Sequence, residues 1–89
     1  MKIIYKYFYP MPSSTGFIPM PVGAEVLCVQ EQNGCACIWA LVDPKNEIET
    51  RSFFLVGTGE PMPDNPSKYI GTFQLSDGRY VGHIFELIK

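Results

Sequence analysis

Two dipeptides, Asn33-Gly34 and Asp77-Gly78, constrain this chain more than anything else in it. Each lies between strand-like runs, and the tight turn that joins antiparallel strands needs positive φ at both central residues, which Asn, Asp and Gly reach at little cost. Helical periodicity does not compete. No stretch of ten or more residues keeps apolar positions at i, i+3, i+4 and i+7, and eight prolines and eight glycines punctuate the chain throughout.

Strands are then read between the breakers. Residues 2–9 form the first, which Pro10 and Pro12 end by supplying no ladder donor, and residues 13–16 form a turn. Phe17-Ile18 is a short edge segment that Pro19 and Pro21 bar from a central position. Residues 25–32 and 35–43 flank Asn33-Gly34, and Asp43-Pro44 opens a polar connection. Residues 51–56, with Phe53, Phe54 and Leu55 at their centre, read as buried on both faces. Residues 57–66 hold no strand pattern, but their prolines make them an ordered loop. Residues 69–75 and 79–88 flank Asp77-Gly78. With 89 residues there is one hydrophobic core to close, so residues 1–89 are a single all-β domain. About six to seven short strands joined by hairpins predict a small antiparallel sandwich or a partly open barrel.

The hairpins also predict registers. A two-residue Asn33-Gly34 loop sets Gln32 opposite Cys35, Gln30 opposite Cys37, Cys28 opposite Trp39 and Val26 opposite Leu41. Leu27, Val29, Ala36, Ile38, Ala40 and Val42 then share the core face, and all three cysteines share the other. A two-residue Asp77-Gly78 loop sets Leu75 opposite Tyr80, Phe73 opposite Gly82, Thr72 opposite His83 and Ile70 opposite Phe85. Tyr69, Phe73, Leu75, Tyr80 and Ile84 fall on one face, and Thr72, Gln74, Arg79, Val81 and His83 on the other with Ile70, Phe85 and Leu87.

Chemistry is sparse in this pattern. A net charge of −2 with seven scattered Lys and Arg argues against duplex nucleic acid as a partner, because phosphate neutralisation needs clustered cations. The lysines at 2 and 6 interrupt the apolar N-terminal run, so neither a signal peptide nor a membrane span is expected. An odd count of three cysteines fits a reducing cytoplasm better than a disulfide scaffold. Cys35 and Cys37 at i and i+2 on a strand stand roughly 6.5 to 7 Å apart. Zinc knuckles instead wrap the ion with C-x2-C on a turn, so the thiols read as small hydrophobes and no metal or other cofactor is expected. His83 is the lone imidazole, with Thr72 and Gln74 as its register neighbours, and no nucleophile-base-orienter set assembles there, which favours a hydrogen-bonded or surface role over catalysis. Gly57-Thr58-Gly59 invites an anion-cradle reading, but Glu60, Pro61 and Pro63 follow it, adding negative charge and removing donors. Tyr5, Tyr7 and Tyr9 alternate, so their hydroxyls share one face of the first strand, and that face is an interaction candidate.

Four blocks carry a resemblance: Gln30-Glu31-Gln32-Asn33-Gly34, Ile38-Trp39-Ala40-Leu41-Val42-Asp43-Pro44, Gly57-Thr58-Gly59-Glu60-Pro61-Met62-Pro63-Asp64, and Tyr69-Ile70-Gly71-Thr72-Phe73-Gln74-Leu75. In order and spacing they resemble a family of small phage and prophage proteins of unknown function, over nearly the whole chain. Members of that family often place His where Glu60 stands and Ile where Met62 stands, and the first departure speaks against a catalytic or metal role for this loop. The resemblance implies a phage-encoded accessory protein, a class that commonly inhibits host proteins or scavenges host signals.

The expectation is therefore a non-enzymatic accessory protein in the cytoplasm of a bacterial host, binding and inhibiting a host protein, with a defence factor among the candidates. The alternative is a homo-oligomer that binds a small ligand or nucleotide signal as a sponge, with residues 57–65 and Trp39, Arg51 or Arg79 at a subunit interface. The residues expected to carry binding are Tyr5, Tyr7, Trp39, Arg51, Thr58, Glu60, Met62, Asp64, Arg79 and His83.

Overall fold

The computed structural model describes residues 1–11 and 13–88. Its elements are β1 (Ile3–Phe8), β2 (Thr15–Pro21), β3 (Glu25–Gln32), β4 (Cys35–Val42), β5 (Ile48–Gly57), β6 (Ser67–Leu75) and β7 (Tyr80–Leu87). They form a three-stranded sheet of order β1-β4-β3 and a four-stranded sheet of order β2-β5-β7-β6, with every pair antiparallel. Of the two architectures expected, the sandwich is the one found. The part played by Pro12 lies outside the described residues.

The inner faces interlock through Met20, Ile38, Val42, Phe53 and Ile84, all fully buried, with Val29, Ala36, Ala40, Leu55 and Phe73 around them. Alternation along each strand explains this choice, since residues facing one another across a ladder share a face. At one end of the core Arg51 reaches across. Its guanidinium makes a bidentate pair with Glu86 on β7, Nη2 lying 3.0 Å from Oε1 and Nε donating to Oε2, while Nη1 donates to the Ala24 carbonyl at 2.9 Å. The four-stranded sheet is thereby tied to the entry of β3. The hydrogen bonds that Arg51 donates to Glu86 hold its guanidinium in the charged form against the opposing effect of burial.

The first hairpin turns as expected. Asn33 and Gly34 have φ of 52° and 82°, and Gln32 pairs with Cys35. The ladder departs from the simple register at Leu27, an extra residue that places Val26 opposite Ala40 instead of Leu41. Val26 consequently takes the inward position, and Leu27, expected in the core, is 43% exposed. In the second hairpin Asp77 and Gly78 also have positive φ, at 55° and 86°, but Ser76 does too, and strand pairing stops at Leu75 and Tyr80. The loop is four residues long, with Arg79 outside β7, and the Arg79 N–H donates to the Ser76 carbonyl at 3.1 Å. A second extra residue, Ile70, sets Tyr69 opposite Phe85. The two therefore exchange faces: Ile70 packs on the core, and Tyr69 turns outward.

Two expected spans were too short. Phe17-Ile18 belongs to a seven-residue β2 that contains both prolines, and β5 runs from Ile48 to Gly57. Proline is tolerated in β2 because of where the donors point. The Val22 N–H donates to Glu47 and the Leu55 N–H to Ser14, which fixes the even-numbered residues as the ones bonded to β5. Pro19 and Pro21 therefore stand where an N–H would face away from the sheet, and no ladder bond is lost. Gly16, expected in a turn, lies in the strand, where a Cβ would stand 2.8 Å from the Tyr9 ring.

The Tyr9 hydroxyl is buried without a hydrogen-bond partner among the described residues, and the residue is 4% exposed. Burial, reinforced by Tyr80, pushes its pKa up to about 12. Tyr7 and Tyr80 are also raised, chiefly by burial. An unfolded chain would ionise these phenols near pH 10, before the folded one does, so stability is intact below that pH and is lost as pH climbs toward 12. Tyr9→Phe removes an unsatisfied buried hydroxyl without changing the ring. It is expected to stabilise the protein by about 1 kcal/mol at pH 7 and to flatten the alkaline loss, as read from urea unfolding across pH.

Candidate functional site

On the outer face of the four-stranded sheet, the register expected for Thr72 and His83 holds, and it assembles a chain of hydrogen bonds. Tyr69 Oη lies 2.6 Å from Thr72 Oγ1, Thr72 Oγ1 lies 2.9 Å from His83 Nδ1, and His83 Nε2 lies 2.7 Å from Thr58 Oγ1. Thr58 Oγ1 is also 3.4 Å from the Val81 carbonyl, which can only accept. With that end fixed, the neutral chain has one consistent direction. Tyr69 donates to Thr72 and Thr72 to Nδ1, while Nε2–H donates to Thr58 and Thr58 donates to Val81. Phe85 supports the arrangement, stacked on Phe54 at 5.2 Å and edge-on to Tyr69 at 5.5 Å. Thr58 and His83 are thus brought together, and the bond spans from β7 to the start of the 57–66 loop.

That loop is held by its own polar groups. The Gly57 N–H donates to Glu60 Oε1 at 2.7 Å, the Glu60 N–H to the Gly57 carbonyl at 3.0 Å, and the Thr58 N–H to Val81 at 3.1 Å. The Gly57, Thr58 and Glu60 amides are already bonded, the first of them to a carboxylate. Met62 and Asp64 are exposed further along. Glu60 also lines a cleft of about 420 Å³ with Met11, Ser14, Leu55 and Tyr80, where its charge disfavours an anionic ligand. Arg51 is committed to Glu86, and Arg79 sits exposed at the second hairpin tip.

The outer face of the three-stranded sheet is different in character. Ile4, Lys6 and Phe8 of β1 stand opposite Leu41, Trp39 and Cys37 of β4, and Cys28 of β3 stands on the far side of Trp39. Phe8 is 62% and Ile4 59% exposed, and Trp39 and Leu41 are half-buried. Lys6 lies across this surface, its Nζ 4.9 Å from the Phe8 ring centroid and 5.9 Å from that of Trp39, donating to Gln32 Oε1 at 2.6 Å. Burial raises the Cys37 thiol pKa, and Lys6 partly offsets the rise. Cys37 is the buried thiol, Cys28 half-buried and Cys35 exposed, and all three are free. Among the described residues no group of three or more His, Cys, Asp or Glu is arranged to hold a metal ion.

The tyrosine alternation of β1 points inward instead of out. Tyr5 and Tyr7 stand opposite Ala40 and Ile38, which face the core, so Tyr7 packs on it, and Tyr9 beyond them is buried. Tyr5, edge-on to Tyr7 at 6.2 Å, stays partly open at the sheet margin. The surface that β1 presents is that of Ile4, Lys6 and Phe8. Its signal lay in the β4 core residues, whose inward facing obliges the odd-numbered residues of β1 to follow.

His83→Ala breaks the link between loop and sheet. Global stability is expected to fall by about 1 to 2 kcal/mol. Amide exchange at Thr58 and Glu60 should quicken more than at core strands, and uniform quickening would contradict the anchoring role.

No helix among the described residues is long and apolar enough to cross a membrane. No curated protein and no solved structure matches the chain. The model of one family does match, over residues 1–89, and its description is that of a domain of unknown function, which agrees with the resemblance to a family without assigned function. The chain belongs to the DUF7352 family.

Proposed function

We propose that this protein is a non-enzymatic phage accessory protein that binds and inhibits a protein of the bacterial host through the outer face of its three-stranded sheet. The carrying observation is the composition of that face. Exposed Phe8 and Ile4 adjoin Trp39, Leu41 and Cys37, and the one charge at the centre, Lys6, lies over the rings. Glu25, Gln30 and Gln32 border them. An aromatic, charge-poor centre with a polar rim is the anatomy of protein-binding surfaces. The phage origin, and with it a host polypeptide in the cytoplasm as partner, rests on the four sequence blocks. The nucleotide-sponge alternative is weaker, because Arg51 is already paired and the cleft beside Tyr80 carries Glu60 in its wall.

The test is capture from host lysate, identification of the bound polypeptide and measurement of its affinity by calorimetry. Phe8→Asp and Trp39→Ala are expected to weaken binding by roughly 10-fold or more. Phe17→Asp, on the outer face of the other sheet, should leave it unchanged. Binding that survives Phe8→Asp but fails with Phe17→Asp would place the partner elsewhere. Release of a small molecule on denaturation, with no polypeptide captured, would favour the sponge.

A further inference from the structure

β1 has one bonded side and one open side. The Tyr9 N–H donates to the Ala36 carbonyl at 2.9 Å, in the same register that pairs β1 with β4. By the alternation of an antiparallel ladder, Ile3, Tyr5 and Tyr7 bond to β4, and the N–H and C=O groups of Ile4, Lys6 and Phe8 point away from the sheet. No other described strand pairs there. The remaining edges are managed. β2 carries Pro19 and Pro21 at its outward positions, and β3 runs against β6 so closely that a Cβ on Gly71 would stand 2.8 Å from Val29 Cγ1. β1 alone is free of proline and bulges and rich in Ile, Tyr and Phe, the composition that invites another strand.

We infer that the partner of this edge is a second copy of the chain, joined by antiparallel β1-to-β1 pairing about a two-fold axis at Tyr5. Three conditions limit the register, and the length of β1 that is paired decides among those left, since centring on Ile3 or Tyr7 also meets them but pairs a shorter stretch. Residues opposite each other must share a face, the outward-bonding residues must face one another, and like charges must not meet head-on. Centring on Tyr5 satisfies all three: Tyr5 meets Tyr5 of the second copy, Ile3 meets Tyr7, Ile4 meets Lys6, and Lys2 meets Phe8. Centring on Lys6 would set two ammonium groups directly opposite. The pairing flanks exposed Ile4, Phe8 and Tyr5 with side chains of the second copy, and it places Lys2 beside a Phe8 ring as Lys6 already lies beside its own. The two outer faces join into one six-stranded platform. This goes beyond the host-binding reading and does not depend on it.

Ile4→Lys and Ile4→Glu test the register, since Ile4 is exposed and either change is tolerated by the fold. By symmetry each substitution acts at two pairs with Lys6. In sedimentation equilibrium over a wide concentration range, the wild type should dissociate from dimer to monomer on dilution. Ile4→Lys should raise the dissociation constant by roughly 2- to 30-fold, and Ile4→Glu should lower it by a similar factor. Lys6→Pro removes an outward donor without touching the bonds to β4, and should give a folded monomer by circular dichroism and thermal transition. A wild type that remains monomeric at every concentration overturns the inference, as does equal weakening by Lys and Glu at position 4. A dimer that persists in folded Lys6→Pro places the contact at another surface. Loss of host binding with the dimer intact would count against the proposed function alone.

Discussion

Two small sheets have four edges between them, and every backbone group along an edge needs a partner or water. That constraint organises this molecule. β2 meets it with Pro19 and Pro21 at the positions whose donors would face out. β3 and β6 shield each other by lying close together, which Gly71 permits because its missing side chain leaves room for Val29. β1 has neither device. Its Ile4, Lys6 and Phe8 offer both an open row of backbone groups and an apolar face, so an unguarded backbone and exposed apolar side chains occur together on one strand.

The rest of the fold supports that strand through two sets of polar contacts. Arg51, paired with Glu86 and bonded to Ala24, fastens the two sheets at one end. The chain from Tyr69 through Thr72 and His83 to Thr58 fastens the proline-rich loop to the four-stranded sheet. The polar groups of both arrangements are engaged with one another: the guanidinium is paired with Glu86, and both imidazole nitrogens are hydrogen-bonded to threonine hydroxyls.

The sequence disclosed what local physics decides. Asn33-Gly34 specified its turn and, through it, the placing of three thiols on the strand faces that also carry Trp39, because positive φ at two successive residues leaves few alternatives. The pairing of Thr72 with His83 was legible for the same reason. Hidden were the two bulges, since an extra Leu or Ile in an apolar run alters no composition and no alternation. Their effects were large: Leu27 went to the surface, and Tyr69 changed faces and so reached Thr72. The orientation of β1 was hidden too, because its two faces are almost equally apolar and only the partner β4 distinguishes them. Thr58 joined His83 through the pairing of β5 with β7 across 25 residues, which neither hairpin register could convey.

The outer sheet face beside β1 is charge-poor and no other described strand pairs with its free edge, so the central question is whether that edge is open. Residue-resolved amide exchange in dilute and concentrated solution measures this directly. The amides of Ile3, Tyr5 and Tyr7 are predicted to be protected in both. Those of Ile4, Lys6 and Phe8 should exchange freely when dilute and gain protection together on concentration. Protection of Ile4, Lys6 and Phe8 in the dilute monomer, or protection that appears instead along β2, would contradict it.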